Sequence, residues 1–277
     1  HSALTGLLLA LTLPPFVPLF VPVVAALFAT IVGKAIFGGV GHFLWQPALV
    51  GRLAVAVIFA PPLLSAPLLD PPEWPVLAQE RILLGDVTAA ESVPYYRQWR
   101  GTPPPPGADA IPIAPPARAL RRLARPEQRG PRTLTDALRH MPPAWDLVCG
   151  AYGGGIGETC AAAILIAGLY LVYRNYIRWQ LPGMFLLAAG LVAAVAPIRA
   201  GPDGAWRWLP FLQQGADAGI AYVGYHLTTG GMMLAAWFFA TEMTSRPVTG
   251  PAQAVFGFGC GAAAMIGRLY TGSPIPA

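Results

Sequence analysis

The sequence predicts an all-α polytopic membrane protein, and three observations support this fold class. The chain has 277 residues, of which 55% are hydrophobic and only 11% are charged, whereas an ordinary soluble domain has about 25% charged residues. Of the 31 charged residues, 19 fall between Asp70 and Asp146. Glycine and proline interrupt the apolar runs on both sides of that segment. Because one span needs about 20 apolar residues, we expect about six to eight membrane helices, including broken half-helices.

The charge distribution divides the chain into three parts. Residues 1–69 form a first membrane half, residues 70–146 a long extramembrane loop, and residues 147–277 a second membrane half. The loop contains stretches such as GTPPPPGADAIPIAPP and ten arginines. Such proline density favours extended chain and turns over packed helices. We therefore predict a Pro/Arg-rich loop outside the membrane.

The first half is broken near its middle. Prolines between positions 14 and 22 split its uncharged beginning into a short helix, a turn and a longer helix that ends near Lys34. Gly38, Gly39 and Gly41 follow, and a helix is predicted from Pro47 to Ala66. At membrane depth, such a break is tolerated only where protein or a cavity surrounds the freed backbone groups. We therefore predict an internal site at this break.

The second half has a similar construction. We predict a span ending at Arg174, another over residues 181–198, an amphipathic linker, an apolar run over 218–241 broken near Gly230, and a last span over 252–266. Each half thus combines a small-residue interruption with an apolar helix and a Gly/Pro turn. Corresponding broken segments in two halves indicate a site at a repeat interface, and we predict an inverted repeat.

The net charge and the cysteines exclude some classes of function. The formal net charge is +5, but the central segment is nearly neutral and no basic stripe alternates with aromatic residues, so no nucleic-acid partner is predicted. Cys149, Cys160 and Cys260 lack CxxC spacing and are expected to be small core residues. No metal site is predicted.

Ionisable side chains within or beside apolar stretches are candidates for function, because they are costly in a membrane. Glu158, within GGGIGET, belongs either to a cation or proton path or to a helix cap. Glu242, which ends an apolar run, belongs to the same path or lies at the membrane interface. His42 and His226 are candidates for haem ligation or proton relay, although a hydrogen-bonded structural role is the simpler interpretation.

Cofactor-binding candidates surround the glycine-rich breaks. Arg52, the one charge in its predicted helix, would pair with a backbone carbonyl or bind a lipid or flavin phosphate. The glycines would let the backbone approach a flat ligand such as isoalloxazine or quinone, or let helices pack closely. These glycines are Gly38, Gly39, Gly41, Gly154 and Gly155.

Several blocks of this sequence, in this order, resemble the RnfD (RsxD) component of the Rnf electron-transport complex and its relative NqrB, a component of the sodium-pumping NADH:quinone oxidoreductase. The resemblance extends over nearly all of the chain outside residues 101–132. Because that family has further helices beyond both ends, we expect this chain to be cut from a longer polypeptide. The blocks are SALTGLLLALTLPP (2–15), FGGVGH…QPALVGR (37–52), GGGIGET (153–159), LYLVYRNYIRWQLP (169–182) and GGMMLAAWFFATE…PVT (230–249).

The resemblance implies a multi-pass subunit of a redox-driven ion pump in the bacterial inner membrane. Its implied partners are other membrane subunits, lipids and a quinone, and loop 70–146 is expected on the outer, periplasmic face. In that family, one FMN is esterified through its phosphate to a threonine in the loop between the halves.

This chain departs from the family at the flavin-attachment position. Within residues 83–101, alignment on the following proline puts Val93 there, whereas alignment on Asp86 puts Glu91 there. Neither side chain has the hydroxyl group that a phosphoester requires, so covalent FMN is not expected. Ser92 is a nearby hydroxyl outside a complete motif. A non-covalent flavin, FMN or riboflavin, is the cofactor hypothesis that stays open.

Three functional hypotheses follow. The chain is one subunit of a redox-driven ion-translocating oxidoreductase that holds a flavin or quinone between its halves. Alternatively, it is a non-catalytic structural or docking subunit of the same fold, without covalent flavin. A solute channel on a similar scaffold is a third class, because fold does not fix function.

Overall fold

The computed structural model describes residues 2–14, 17–39, 42–43, 45–59, 144–150, 155–199, 206–213 and 216–270. Over these ranges the protein is mostly helical. The first half contains α1 (Ser2–Thr12), α2 (Phe20–Thr30), the π-helix π1 (Ile31–Ala35) and α3 (Pro47–Ile58). The later elements are α4 (Ala144–Cys149), α5 (Ala161–Tyr173), α6 (Gln180–Val195), β1 (Ile198–Arg199), β2 (Trp206–Arg207), α7 (Pro210–Gln213), α8 (Ala216–Thr228), α9 (Met232–Leu234), the π-helix π2 (Ala235–Phe239) and α10 (Gly250–Tyr270).

The predicted breaks in the apolar runs are present in the structure. In the first half, α1 and α2 are separate helices, and α3 begins at Pro47. The side-chain oxygen of Gln46 caps α3 by accepting a hydrogen bond from the backbone N–H of Leu49 at 2.9 Å. In the second half, the run over 218–241 is interrupted after α8, where Gly230 has a φ of +63°. Glycine adopts this left-handed conformation at low cost.

The two halves share an order of elements that the sequence indicates only weakly. In each half, a short α-helix continues directly into a π-helix of five residues, π1 or π2. The helices that follow, α3 and α10, each have a proline in the first turn, Pro47 and Pro251, at the same chain distance from the π-helix. π-helical turns frequently occur at functional sites. The shared order agrees with a repeat, and the inversion of one half relative to the other stays a prediction.

Small residues allow the helices to approach one another closely. An added Cβ on Gly51 of α3 would collide with the carbonyl oxygen of Ala25 in α2. On α10, Gly257 and Gly261 lie in the same way against the backbone of α6, where an added Cβ at Gly257 would lie 2.6 Å from the Leu181 carbonyl oxygen. Such small-xxx-small spacing is typical of helix packing in membranes.

The outer faces of several helices are apolar. Leu7, Leu27, Val57, Ile166 and Val255, from α1, α2, α3, α5 and α10, are all more than half exposed. By length and composition, α10 is the one helix in the described ranges that is long and apolar enough to cross a membrane. The helices α1, α3, α5 and α6, and α2 together with π1, are apolar but shorter. The total number of membrane helices therefore stays a prediction.

The amphipathic linker differs from an all-helical expectation. β1 and β2 pair as a short antiparallel ladder, with Ile198 opposite Arg207 and Arg199 opposite Trp206. The helix α5 begins at Ala161, after the GGGIGET segment rather than within it. Apart from α4, the predicted loop 70–146 lies outside the described residues.

Candidate functional site

The site is built around buried charges. Among the side chains that the structure describes, Lys34, Arg52, Glu158 and Arg268 are charged residues with exposures of 6%, 3%, 6% and 2%. A charge removed from water is costly unless other groups compensate it. The surroundings of each therefore show what holds it in place and what it can bind.

A docked loop positions Glu158. The backbone N–H of Gly157 donates to the carbonyl oxygen of Leu11 at 2.9 Å, and that of Ile156 donates to the carbonyl oxygen of Leu13 at 3.4 Å. The GGGIGET segment thereby satisfies backbone acceptors at the end of α1. A Cβ at Gly157 would lie 2.6 Å from the Cβ of Leu11, so a larger residue would push the loop away. This contact joins the two halves.

Glu158 and Arg52 form the first charged pair. Arg52 projects from α3 of the first half, and its guanidinium interacts electrostatically with the carboxylate of Glu158 from the second half. Gly155 lies against that carboxylate, since an added Cβ there would be 3.0 Å from Oε1. The Nε and Nη1 atoms of Arg52 are buried and make no hydrogen bond with any atom that the structure describes. The site therefore offers two N–H donors and a positive charge beside an acid.

Lys34 and Glu242 form the second charged pair. Lys34 lies within π1, and its Nζ donates a hydrogen bond to Thr5 Oγ1 of α1 at 2.6 Å. Glu242 lies in the connection between π2 and α10 and is half-buried. Burial raises the pKa of the Glu242 carboxyl, and the positive charges of Lys34 and Arg246 act in the opposite direction. This pair also joins a base of the first half to an acid of the second.

Arg268 closes the break after α8. Its Nη1 donates to the carbonyl oxygens of His226 at 2.9 Å and Thr229 at 2.7 Å, and its Nη2 donates to Thr229 Oγ1 at 2.8 Å. It thus satisfies acceptors that the interruption at Gly230 leaves without helical partners. His226 is fully buried, with its ring edge-to-face against Tyr222 at 4.6 Å between centroids. These contacts describe a braced helix end.

The remaining predicted site residues are more dispersed. Gly38 and Gly39 have φ values of 99° and 96°. A Cβ on Gly38 would meet only His42, at 3.8 Å, and one on Gly39 would meet nothing within 4 Å. These glycines therefore serve the backbone conformation and not close helix packing. His42 is exposed.

Some predicted residues and site types cannot be placed in the structure. Gly41, Gly154 and the flavin-attachment candidates Glu91, Ser92 and Val93 lie outside the described residues. In the ranges that are described, no group of three or more His, Cys, Asp or Glu side chains could hold a metal ion.

Sequence reasoning missed Lys34, Thr5 and Arg268 as site residues. Lys34 is the first Lys, Arg, Asp or Glu in the chain, and Arg268 is the one such residue in α10. The rule that singles out Arg52, a lone charge in an apolar helix, applies equally to both. Each resembles an ordinary helix end in the sequence, because a break or the end of an apolar run follows it. Nothing in the sequence singles out Thr5.

The family assignment rests on the comparison with known proteins. The model of the NQR2, RnfD, RnfE family matches residues 1–275. The chain belongs to this family. It is a family of membrane proteins, which agrees with the predicted fold class and with the stated resemblance.

The curated relatives of this NQR2, RnfD, RnfE family member are D-type subunits of ion-translocating complexes. The chain is 30% identical over 275 residues to that of the Na(+)-translocating ferredoxin:NAD(+) oxidoreductase complex of Acetobacterium woodii, covering 99% of this chain and 64% of that protein. It is 30% identical to that of the ion-translocating oxidoreductase complex of Halorhodospira halophila, covering 99% and 67%. It is 27% identical to that of the proton-translocating ferredoxin:NAD(+) oxidoreductase complex of Clostridium ljungdahlii, covering 98% and 65%. The chain spans about two thirds of the length of these relatives.

Proposed function

We propose that this chain is the membrane-embedded core of an RnfD-type subunit in an ion-translocating oxidoreductase complex of the bacterial inner membrane. In this proposal it holds a flavin or quinone for redox-coupled ion translocation. Its family membership over residues 1–275 supports the subunit assignment, and so do the names of its relatives. Other membrane subunits and lipids would cover its exposed apolar helix faces.

The buried guanidinium of Arg52 supports the redox part of the proposal. Its Nε and Nη1 groups have no hydrogen-bond acceptor among the described atoms, although the side chain is only 3% exposed. A buried polar group without a partner is costly, so an acceptor is expected there. Isoalloxazine and quinone rings both carry carbonyl oxygens that accept such bonds. The residues therefore suit either group.

When bound, a flavin or quinone would supply the electron-transfer chemistry. The chain would contribute the Arg52 charge in apolar surroundings, where it favours added negative charge more strongly than in water. Glu158 limits that effect by compensating part of the charge of Arg52. The docking of Gly157 on α1 holds both groups at the contact of the two halves.

The ion path and the topology are parts of the same proposal. Glu158 and Glu242 are the acids that would face the translocated cation or proton, and each interacts with a base from the other half. We place loop 70–146 on the periplasmic face and relate the halves by an inverted repeat with about six to eight membrane helices. Covalent FMN is not part of this proposal, because Val93 or Glu91 stands at the attachment position.

The chromophore of the purified complex tests the proposal. We expect a yellow, flavin-type absorbance that acid denaturation releases from this chain, or a bound quinone in the solvent extract. Arg52→Met should reduce the amount of bound chromophore or quinone at least tenfold, because a charge-assisted hydrogen bond contributes about 1.5–3 kcal/mol. Arg174→Met is the matched control, since Arg174 is exposed. Equal cofactor content in both variants would contradict a site at Arg52.

A non-catalytic docking subunit is the second candidate function. The missing hydroxyl at the flavin-attachment position favours it. This alternative predicts that the complex assembles with no chromophore or quinone on this chain, and that Arg52→Met leaves electron transfer through the complex unchanged.

A further inference from the structure

Lys34 is held in a way that a simple structural lysine would not require. Its ammonium group is buried on π1 and bonded to the hydroxyl of Thr5 at 2.6 Å. It also acts electrostatically on Glu242, which follows π2 in the other half. Lys34 therefore has a neutral anchor in its own half and an acidic group within its field across the contact between the halves.

The two sides of this pair differ in access to solvent. Lys34 is 6% exposed, whereas Glu242 is only half-buried, in a connection outside the described helices. A small cation from the solvent can therefore reach the carboxylate while the ammonium stays in the protein. The Thr5 hydroxyl would keep the ammonium in place whether or not Glu242 has bound another cation.

We propose that Lys34 is a tethered cation that competes with a monovalent cation, Na⁺ or a proton, for the carboxylate of Glu242. Its fixed positive charge lowers the affinity of Glu242 for the incoming cation, so that the cation binds and leaves during turnover instead of remaining bound. Lys34 is thus a positioning residue of the ion path. This inference rests on the proposed ion-translocating function.

Two further features of the surroundings fit this role. Of the charged groups that the structure describes, Lys34 and Arg246 are the two that act on Glu242. The backbone N–H of Arg246 donates to the carbonyl oxygen of Glu242 at 3.2 Å, and Nη2 of Arg246 donates to the carbonyl oxygen of Tyr176 at 3.2 Å. Arg246 is therefore directed toward another loop, which leaves Lys34 as the more buried of the two positive charges.

Carbodiimide labelling of the intact complex tests this proposal without electron transfer. Dicyclohexylcarbodiimide reacts with protonated carboxyl groups in apolar surroundings, and mass spectrometry measures the adduct on Glu242. One arm titrates Na⁺ at fixed pH and records the concentration that protects half of Glu242. A second arm varies the pH in Na⁺-free buffer and records the pH of half-maximal labelling. The two arms distinguish Na⁺ from the proton.

The expected shifts depend on the charge at position 34. In Lys34→Met, the protecting Na⁺ concentration should fall on the order of tenfold, or the labelling midpoint should rise by about one pH unit if the proton is the ligand. Lys34→Arg keeps the charge and should stay within about twofold of the unmodified protein. Midpoints in Lys34→Met that equal those of the unmodified complex in both arms would overturn the proposal.

A second variant keeps the proposal testable if Lys34→Met does not assemble. Thr5→Val removes the anchor of the ammonium and frees it to approach Glu242, so the protecting Na⁺ concentration should rise or the labelling midpoint should fall. A merely structural lysine predicts no opposite shift in this variant. Because labelling needs no electron donor, its result is independent of the chromophore test on Arg52, and either proposal can fail alone.

Discussion

The two charged pairs between the halves are built for different purposes. Arg52 and Glu158 are both closed off from solvent, with exposures of 3% and 6%. Lys34 is equally buried, but its acid Glu242 is half-buried and also interacts with a second base, Arg246. A fully enclosed pair can exchange ions only if the protein opens around it, whereas a half-open acid can exchange them directly. The comparison therefore assigns ligand holding to the first pair and ion exchange to the second.

The anchors of the two pairs differ in the same sense. Backbone hydrogen bonds fix the loop that carries Glu158 to the end of α1. A side-chain hydroxyl, that of Thr5, bonds to the Lys34 ammonium. A backbone-docked loop moves as a unit, while an ammonium on a flexible side chain can shift alone. The same kind of substitution should therefore have unequal effects at the two sites.

The largest effect is expected from Glu158→Gln. It leaves the buried guanidinium of Arg52 without its compensating charge, and breaking a buried pair costs about 3–5 kcal/mol. Thermal unfolding of the complex in detergent should show this loss. The double variant Arg52→Met/Glu158→Gln removes both charges and should recover part of the stability. A single variant as stable as the unmodified protein would show that the pair is not enclosed.

Gly157→Ala should have the next largest effect, confined to the first pair. The new Cβ would press on Leu11, and overpacking of this kind costs about 1–3 kcal/mol. We expect reduced thermal stability and reduced cofactor content. Gly259→Ala on α10 is the control, because nothing lies within 4 Å of its added Cβ. The comparison fails if both alanines lower the unfolding temperature equally.

Thr5→Val should act on the second pair alone. It removes the hydroxyl that accepts the hydrogen bond from Lys34, and a hydrogen bond to a charged group contributes about 1.5 kcal/mol or somewhat more. Thr5→Ser keeps the hydroxyl and should retain most of the stability. Unfolding temperatures of both variants in detergent provide the measurement, and an equal loss in Thr5→Ser would assign the effect to the methyl group.

The smallest effect on stability is expected from Glu242→Gln. Because burial raises the pKa of Glu242 in the folded protein, the unfolded chain loses that proton at lower pH than the folded protein. The wild-type acid therefore weakens folding as pH rises from its ordinary pKa through the raised value. The neutral glutamine should be slightly more stable than wild type at neutral pH, by less than about 1 kcal/mol, with no difference at acid pH. Unfolding temperatures across this range would reveal the opposite trend if Lys34 dominated.

Sequence reasoning predicts the acids of both pairs but only one of their two partners. Glu158 and Glu242 stand out because an ionisable group beside a long apolar run is costly, and Arg52 stands out for the same reason. Lys34 resembles the end of a helix, since glycines follow it. The structure instead continues the helix through π1 and directs the side chain to Thr5 in another helix. No local pattern encodes that contact.

The glycines show the same limit from another side. The sequence leaves both close packing and conformational freedom open for the first-half glycines at 38 and 39. Their positive φ values and the open space around them decide for conformation. By contrast, Gly157 and Gly261 are needed for close contacts with α1 and α6. A glycine has the same letter in both roles, so only its neighbours in space distinguish them.

The sequence by itself determined the membrane class, the family, the order of the helices and the positions of their breaks. These properties depend on composition and on local backbone chemistry, which neighbouring residues encode. The tertiary structure decided which base meets which acid, that Arg268 braces the break after α8, and that Arg52 keeps two donors without a hydrogen bond among the described atoms. Those facts join residues far apart in the chain, and burial alone gives them their energetic weight.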